Sequence, residues 1–270
     1  MSRLIAERLQ RDAASLRQSW SSARPFRYFV VDDLLPVEVA RAIVDAYPSP
    51  QSLQQRSSLR ERKRIGVRVD QYAPIVGDAL FCFHAPAIVQ AVADITGLKE
   101  LSADPSLYAS GISVMGQGDF LNPHLDNSHD GDRRRYRVLN LLYYVAPDWS
   151  LGNGGNLELW DAAVRQATTV EAKFNRLVVM ETHQLSWHSV NRVRVDRSRH
   201  CVSNYYFSPQ SPTGVAYQNV TTFTGRPEEP LKRLVLKVSD GLLLNFVGRH
   251  FPWLTQLTKH RIKRPPAKQP

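Results

Sequence analysis

The chain has 270 residues, of which 43% are hydrophobic, and its formal net charge is +10. The length allows a sizeable core in one domain. The positive charge favours anionic partners such as membrane phosphates or acidic substrates, whereas nucleic acid is not the expected partner because the basic residues are not interleaved with stacking aromatics.

The two cysteines, Cys82 and Cys201, exclude a disulfide framework and suit a reducing compartment. The N-terminus lacks the apolar segment of a signal peptide, and no run of about 18 apolar residues predicts a membrane span. We therefore expect a cytoplasmic protein.

The first hundred residues are predicted to form a helical layer with edge strands. This prediction rests on apolar residues at helical spacing, on prolines that can begin a helix, and on runs of β-branched residues. Helices are predicted over 2–19, from Pro36 to Pro48, and over 75–96 with a break at Pro86; strands over 28–31 and 65–69; and a polar, basic loop over 51–64.

From about residue 106, short apolar or alternating runs punctuated by Gly, Asn, Asp and Pro predict a β sandwich or barrel. The runs are 106–115, 136–146, 156–160, 174–180, 187–195 and 200–207. We therefore expect one α+β domain over 1–270: a helical layer (1–100), a mainly β core (101–208) and a C-terminal helical extension with a basic tail (209–270). A helical stripe over 229–247 is expected to pack on the core, with a membrane-surface contact as the alternative.

The chemistry is concentrated around His124 and Asp126. Two residues apart on an extended segment, they point the same way and offer one nitrogen and one oxygen ligand. His188, in a later apolar run, is the candidate for a third ligand. Two histidines and one carboxylate suit iron(II), because they leave coordination positions open. If only His124 and Asp126 are considered, the competing interpretation is that they lie in a surface turn after Pro123.

An arginine shortly after His188 suits the binding of a carboxylate, since its fork forms two parallel hydrogen bonds. Arg199 is preferred over Arg194 and Arg197, because Cys201, Ser203 and Tyr205 share its strand face. An exposed surface arginine is the alternative.

Five motifs in order resemble the 2-oxoglutarate and iron(II) dependent oxygenase superfamily, specifically its prolyl-4-hydroxylase-like branch. The resemblance covers about residues 100–208, and more loosely 26–50. The motifs are His124–Asp126, Arg137–Trp149, Gly154–Leu159, His188–Val190 and Arg199–Phe207.

The resemblance implies a double-stranded β-helix (jelly-roll) with flanking helices at both ends. It further implies iron(II) on His124, Asp126 and His188, 2-oxoglutarate as co-substrate, and ascorbate as a further candidate cofactor. Arg199 would bind the far carboxylate of 2-oxoglutarate. Tyr143 would assist Arg199 or be a core tyrosine, and Ser203 would line the pocket.

The expected reaction is hydroxylation of a peptidyl, amino-acid or other small-molecule substrate, with release of succinate and carbon dioxide. Asp126 favours oxygenation, since halogenating relatives replace this carboxylate. The alternatives are a non-catalytic β-barrel that binds a ligand, and an oxygenase whose basic C-terminus docks on an anionic surface. The basic segments 51–64 and 127–135 are expected to rim the mouth of the site and to favour an anionic substrate.

Overall fold

The computed structural model describes residues 1–66, 68–105, 107 and 110–239. The helices are α1 (Ser2–Arg11), α2 (Ala13–Ser22), α3 (Val37–Asp45), α4 (Pro74–Phe81), α5 (Pro86–Thr96) and α6 (Pro230–Leu236). The strands are β1 (Tyr28–Val31), β2 (Gln54–Ser57), β3 (Glu61–Gly66), β4 (Ser102–Ala103), β5 (Gly111–Met115), β6 (Phe120–Leu125), β7 (Tyr136–Tyr144), β8 (Leu157–Trp160), β9 (Ala167–Val170), β10 (Arg176–Glu181), β11 (His188–Val190), β12 (Arg199–Ser208) and β13 (Thr222–Phe223).

Helices α1–α5 form a layer on one face of the sheet. Helices α1 and α2 pack on α5, and their buried residues belong to one core with the strands beneath. The predicted 2–19 helix is divided at Asp12, whose carboxylate accepts a hydrogen bond from Arg8. Pro86 begins α5 and Gly97 ends it with a φ of 73°, a conformation that glycine adopts without strain.

No single described helix is long and apolar enough to cross a membrane, although the bent pair Pro74–His84 and Pro86–Thr96 meets that criterion by length and composition.

The strands form one curled antiparallel sheet, and its order brings distant segments of the chain together. Among the described residues the order is β1-β10-β7-β12-β5-β3-β6-β11-β8-β9, while β13 pairs with β6, β2 with β3 and β4 with β12. Strands β7 and β12 are the longest, and they separate the helix-side core from a second, smaller core on the other face. This second face carries the site.

The expected loop over 51–64 is wrong, because β2 and β3 form a hairpin there. Residues on both faces of this hairpin are polar, so no apolar alternation marked it as a pair of strands. Strand β9 escaped the prediction for the same reason, since three of its four residues are exposed.

The expected core packing of the 229–247 stripe is also wrong where the structure describes it. Leu231, Leu234, Val235 and Val238 are exposed, while Leu236 is buried. Residues 240–247 and the basic tail lie outside the described residues.

Candidate metal centre

Two neighbouring strands place the histidines side by side. Strands β6 and β11 are antiparallel, and His188 lies directly opposite His124, with ring centroids 4.1 Å apart. Asp126 follows the end of β6. Its carboxylate oxygens lie 3.8 Å from Nε2 of His124 and 3.6 Å from Nε2 of His188. One possible ligand atom from each residue lies within 4.8 Å of the others, so a single ion can contact all three.

Backbone carbonyls fix the tautomer of both histidines. Nδ1 of His124 lies 3.0 Å from the carbonyl oxygen of Asn122, and Nδ1 of His188 lies 3.0 Å from that of Ser186. Because a carbonyl oxygen only accepts, each Nδ1 carries the proton, and the lone pair of each Nε2 faces Asp126. Such outer contacts orient histidine ligands in metal sites.

Three side chains hold Asp126 in place. The Asn140 amide donates to Oδ2 over 2.7 Å, and Arg137 Nη1 lies 3.4 Å from Oδ1. The Asn219 amide donates to the backbone carbonyl of Asp126 over 2.7 Å. The carboxylate is therefore oriented toward the histidines before any ion binds.

Electrostatics favour the ligand forms of these residues. Burial, reinforced by nearby His188, lowers the pKa of His124 to about 3, so its ring is neutral at pH 7. Burial acts to raise the pKa of Asp126, but Arg137 and the two histidines outweigh it and hold this pKa below its usual range. A neutral imidazole and an ionised carboxylate are the forms that bind metal ions.

The triad opens into a cavity of about 450 Å³, here called the central cavity. It is lined by the triad together with Arg199, Tyr144, Ser203, Tyr205, Arg56 and Lys63 among others.

Arg199 is a buried cation with unused donors in the central cavity. It is 4% exposed, its Nη2 contacts the Met115 sulfur at 2.9 Å, and its guanidinium lies 5.2 Å from the centroid of the Tyr144 ring. Its Nε has no hydrogen-bond partner, and neither does the buried hydroxyl of Tyr144, among the described residues. Because a buried polar group without a partner costs free energy, these atoms are available to bind a ligand in the central cavity.

The expected role of Tyr143 is not supported, because this residue faces the helices. Its hydroxyl donates to Oδ1 of Asn175 over 2.8 Å, and its ring lies 6.2 Å from that of Phe83. Of the two roles considered for Tyr143, the structure therefore corresponds to a core tyrosine. Tyr144, the next residue, occupies the central cavity instead.

The competing arginines lie elsewhere. Arg194 and Arg197 are exposed, and Arg197 donates to the carbonyls of Pro147 and Asp148. Ser203 and Tyr205 line the central cavity on the same strand face as Arg199.

The expected basic rim is largely wrong. Arg62 is paired with Asp119 at 2.8 Å and Arg135 with Asp130 at 2.8 Å. Of the seven arginines in segments 51–64 and 127–135, only Arg56 lines the central cavity.

The other histidines of the described chain take structural positions. His84 contacts Asn204, His129 contacts Ser128, His183 packs edge-on against Phe26, and His200 packs against Tyr47. Among the described residues, only His124, Asp126 and His188 bring three potential metal ligands together.

Sequence reasoning missed Arg137 because of a β-bulge. Along the β7–β12 pair, Tyr206 faces Leu139 but Phe207 faces Arg137, so Val138 is an extra residue. A bulge reverses the alternation of side chains, and it turns Arg137 toward Asp126. Phe223, which stacks on His124 with centroids 5.1 Å apart, comes from β13 and had no sequence signal.

The comparisons with known proteins agree with this geometry. Residues 110–207 match the family model of the 2OG-Fe(II) oxygenase superfamily. The sequence has no match among curated proteins.

Similar solved structures include two prolyl hydroxylases. A prolyl-4-hydroxylase from Pseudomonas putida is 19% identical with a TM-score of 0.53, covering 72% of this chain and 97% of its own. A prolyl hydroxylase from Trichoplax adhaerens, in complex with a hypoxia inducible factor peptide fragment, is 17% identical with a TM-score of 0.54, covering 74% and 91%.

The fold also serves another reaction. The alpha ketoglutarate dependent epimerase SnoN from nogalamycin biosynthesis is 15% identical with a TM-score of 0.55, covering 76% of this chain and 86% of its own. The family match over residues 110–207 agrees with the resemblance drawn from the motifs, and the similar solved structures show that the chain has a double-stranded β-helix fold.

Proposed function

We propose that the chain is a 2OG-Fe(II) oxygenase, and specifically a hydroxylase in which His124, Asp126 and His188 hold iron(II) and Arg199 binds the far carboxylate of 2-oxoglutarate. When bound, the iron and the co-substrate supply the oxidising chemistry. The protein supplies placement, charge and a secluded cavity.

Each residue has a separate task. The two Nε2 atoms and the Asp126 carboxylate would hold the iron(II), and a set of only three protein ligands would leave positions on the metal for the co-substrate and dioxygen. Arg199 and the Tyr144 hydroxyl offer donors to a carboxylate at the far side of the central cavity. Arg137 and Asn140 keep Asp126 ionised and oriented.

One observation supports this assignment above the others. The buried Arg199 Nε and Tyr144 hydroxyl lack partners in the same cavity as the triad. In a barrel that binds no ligand, these unpaired buried groups would only lower stability. A dicarboxylate co-substrate would give them hydrogen-bond partners.

Anaerobic titration with iron(II) and 2-oxoglutarate tests the proposal. We expect a weak visible charge-transfer band that saturates at one equivalent of iron and requires both components. A folded protein that shows no such band would overturn the proposal.

We further propose that α6 and the basic C-terminus contact a membrane surface rich in anionic lipid. The exposed apolar residues of α6, Leu231, Leu234 and Val235, support this contact. Residues 241–270 carry six lysines or arginines and no acidic residue. An apolar face beside excess positive charge suits the interface of an anionic bilayer.

Sedimentation with vesicles tests this second proposal. We expect binding to phosphatidylcholine vesicles that contain phosphatidylglycerol, weakening at high salt, and little binding to pure phosphatidylcholine. The pair Leu234→Glu and Val235→Glu should abolish it, while Val215→Glu, at an exposed position elsewhere, should not. The membrane contact would be contradicted if the Leu234→Glu/Val235→Glu variant sedimented with the anionic vesicles as well as the wild-type protein does.

A further inference from the structure

The β2–β3 hairpin contributes a second charged wall to the central cavity. Its inward-facing residues Arg56, Glu61, Lys63 and Ile65 line the cavity, which also contains the triad. Asn122, at the centre of β6, fixes the hairpin by donating to the carbonyl of Leu59 over 2.8 Å. The wall is thus attached to the strand that carries His124.

Arg56 and Lys63 form an unfavourable pair in this wall. They lie directly opposite each other in the β2–β3 register, with their side chains on one face. Like charges in that position destabilise a sheet. Glu61 lies 2.8 Å from Nζ of Lys63 and neutralises it. The Arg56 side chain makes no hydrogen bond or ion pair with any described residue, so its charge stays uncompensated.

The charges of the central cavity do not balance even when iron and co-substrate are present. Four basic side chains and two carboxylates line it: Arg56, Lys63, Arg137 and Arg199, with Glu61 and Asp126. The two positive charges of iron(II) and the two negative charges of 2-oxoglutarate cancel each other. A surplus of two positive charges therefore remains for a further ligand.

We infer that Arg56 binds an oxyanion of the substrate, a carboxylate or a phosphate, at the hairpin wall of the central cavity. This inference rests on the proposed function, since it assigns the substrate to the part of the same cavity that the co-substrate leaves free. The guanidinium fork suits either group through two parallel hydrogen bonds. The substrate is therefore an acidic compound or an acidic segment of a peptide, and Arg56 is a specificity-determining residue.

The test uses inorganic phosphate and acetate as probes. The protein is loaded with manganese(II), a paramagnetic substitute for iron, and with saturating 2-oxoglutarate so that Arg199 is occupied. Relaxation enhancement of the ³¹P signal of phosphate, and of the ¹³C signal of labelled acetate, reports binding near the metal. The tighter probe indicates whether the substrate carries a phosphate or a carboxylate.

We expect a saturable enhancement in the wild-type protein and in Arg62→Gln. Arg62 is the matched control, because it lies on the same hairpin but pairs with Asp119 outside the central cavity. In Arg56→Gln the dissociation constant should rise at least about tenfold, as expected for loss of a charged hydrogen bond.

The two ways of failing are distinguishable. A protein that binds manganese(II) and 2-oxoglutarate but shows no saturable enhancement, or an equal one in Arg56→Gln, overturns this inference alone. A protein that binds no manganese(II) overturns the proposed function and the inference with it.

Discussion

Tyr143 and Tyr144 are neighbours on β7, yet they face two regions of different character. On the helix side, Tyr143 donates to Asn175, and Tyr206 donates to the carbonyl of Phe83. On the cavity side, the hydroxyl of Tyr144 is equally buried and has no partner among the described residues.

Several unsatisfied buried polar atoms line the central cavity. Five side chains that line the central cavity carry a buried polar atom without a hydrogen-bond partner: Ser110, Arg137, Asn140, Tyr144 and Arg199. Since native structures satisfy most buried polar groups, such a cluster indicates a place built for ligands. The helix side supports the fold and the cavity side carries the chemistry, and variants of each should fail differently.

Removal of a proposed iron ligand should have the largest effect. His188→Ala should lose succinate formation entirely while the far-UV circular dichroism of the fold persists, because two protein ligands hold the ion too weakly. His129→Ala lies close to the same motif but outside the triad, and it should stay active. Comparable activity of both variants would remove His188 from the metal site.

Loss of the buried cation should come next. Arg199→Gln should raise the dissociation constant for 2-oxoglutarate by about 10- to 100-fold, the usual worth of hydrogen bonds to a charged group. Anaerobic spectral titration measures this constant. Arg197→Gln, at the exposed neighbouring arginine, should leave it unchanged, and a larger effect there would reverse the assignment.

The adjacent tyrosines allow the most symmetrical comparison. Tyr143→Phe should lower the free energy of unfolding by about 1 kcal/mol and should not alter co-substrate binding, since it removes one of the two buried hydrogen bonds that Oδ1 of Asn175 accepts and leaves the one from the Leu35 N–H. Tyr144→Phe should weaken 2-oxoglutarate binding by several-fold at unchanged stability. Urea unfolding and spectral titration of both variants measure this, and identical behaviour would contradict the division between the two faces.

A smaller effect concerns pH and a histidine outside the central cavity. Burial lowers the pKa of His183 to about 4. The unfolded chain takes up this proton near pH 6.5 and the folded chain does not, so stability is lost as the pH falls from about 6.5 to 4.

Between pH 7.5 and 5.5 this difference contributes on the order of 1 kcal/mol. His183→Gln should therefore lose about that much less stability than the wild type over the same interval, as measured by urea unfolding of the metal-free protein. An unchanged pH dependence in the variant would show that His183 does not titrate in this way.

The elements that the sequence predicts well are those with one buried face. Helices α3 and α5 each show an apolar stripe in the sequence. The strand predicted over 65–69 lies instead at β3 (Glu61–Gly66), where polar residues on both faces hide the strand pattern. Arg199 could be identified from the sequence because the residues on its own face of β12 include polar side chains, as expected for a strand face that lines a cavity.

The sequence does not show which side chains of β7 point toward the central cavity and which toward the helices. Leu139 and Leu141 lie in the helix-side core while Asn140 and Tyr144 line the central cavity, so both faces are buried and alternation gives no direction. The bulge at Val138 then changes the phase again at Arg137. Asn219 and Phe223 come from a segment whose position depends on tertiary contacts alone.

A crystal of the protein with manganese(II) and 2-oxoglutarate would show directly whether the triad is the metal site. We expect a single anomalous peak in contact with Nε2 of His124, Nε2 of His188 and the carboxylate of Asp126, at coordination distances of about 2.0–2.3 Å. We also expect the far carboxylate of 2-oxoglutarate within hydrogen-bond distance of Arg199 and Tyr144. A metal bound elsewhere, or a co-substrate that leaves Arg199 and Tyr144 without partners, would contradict this assignment.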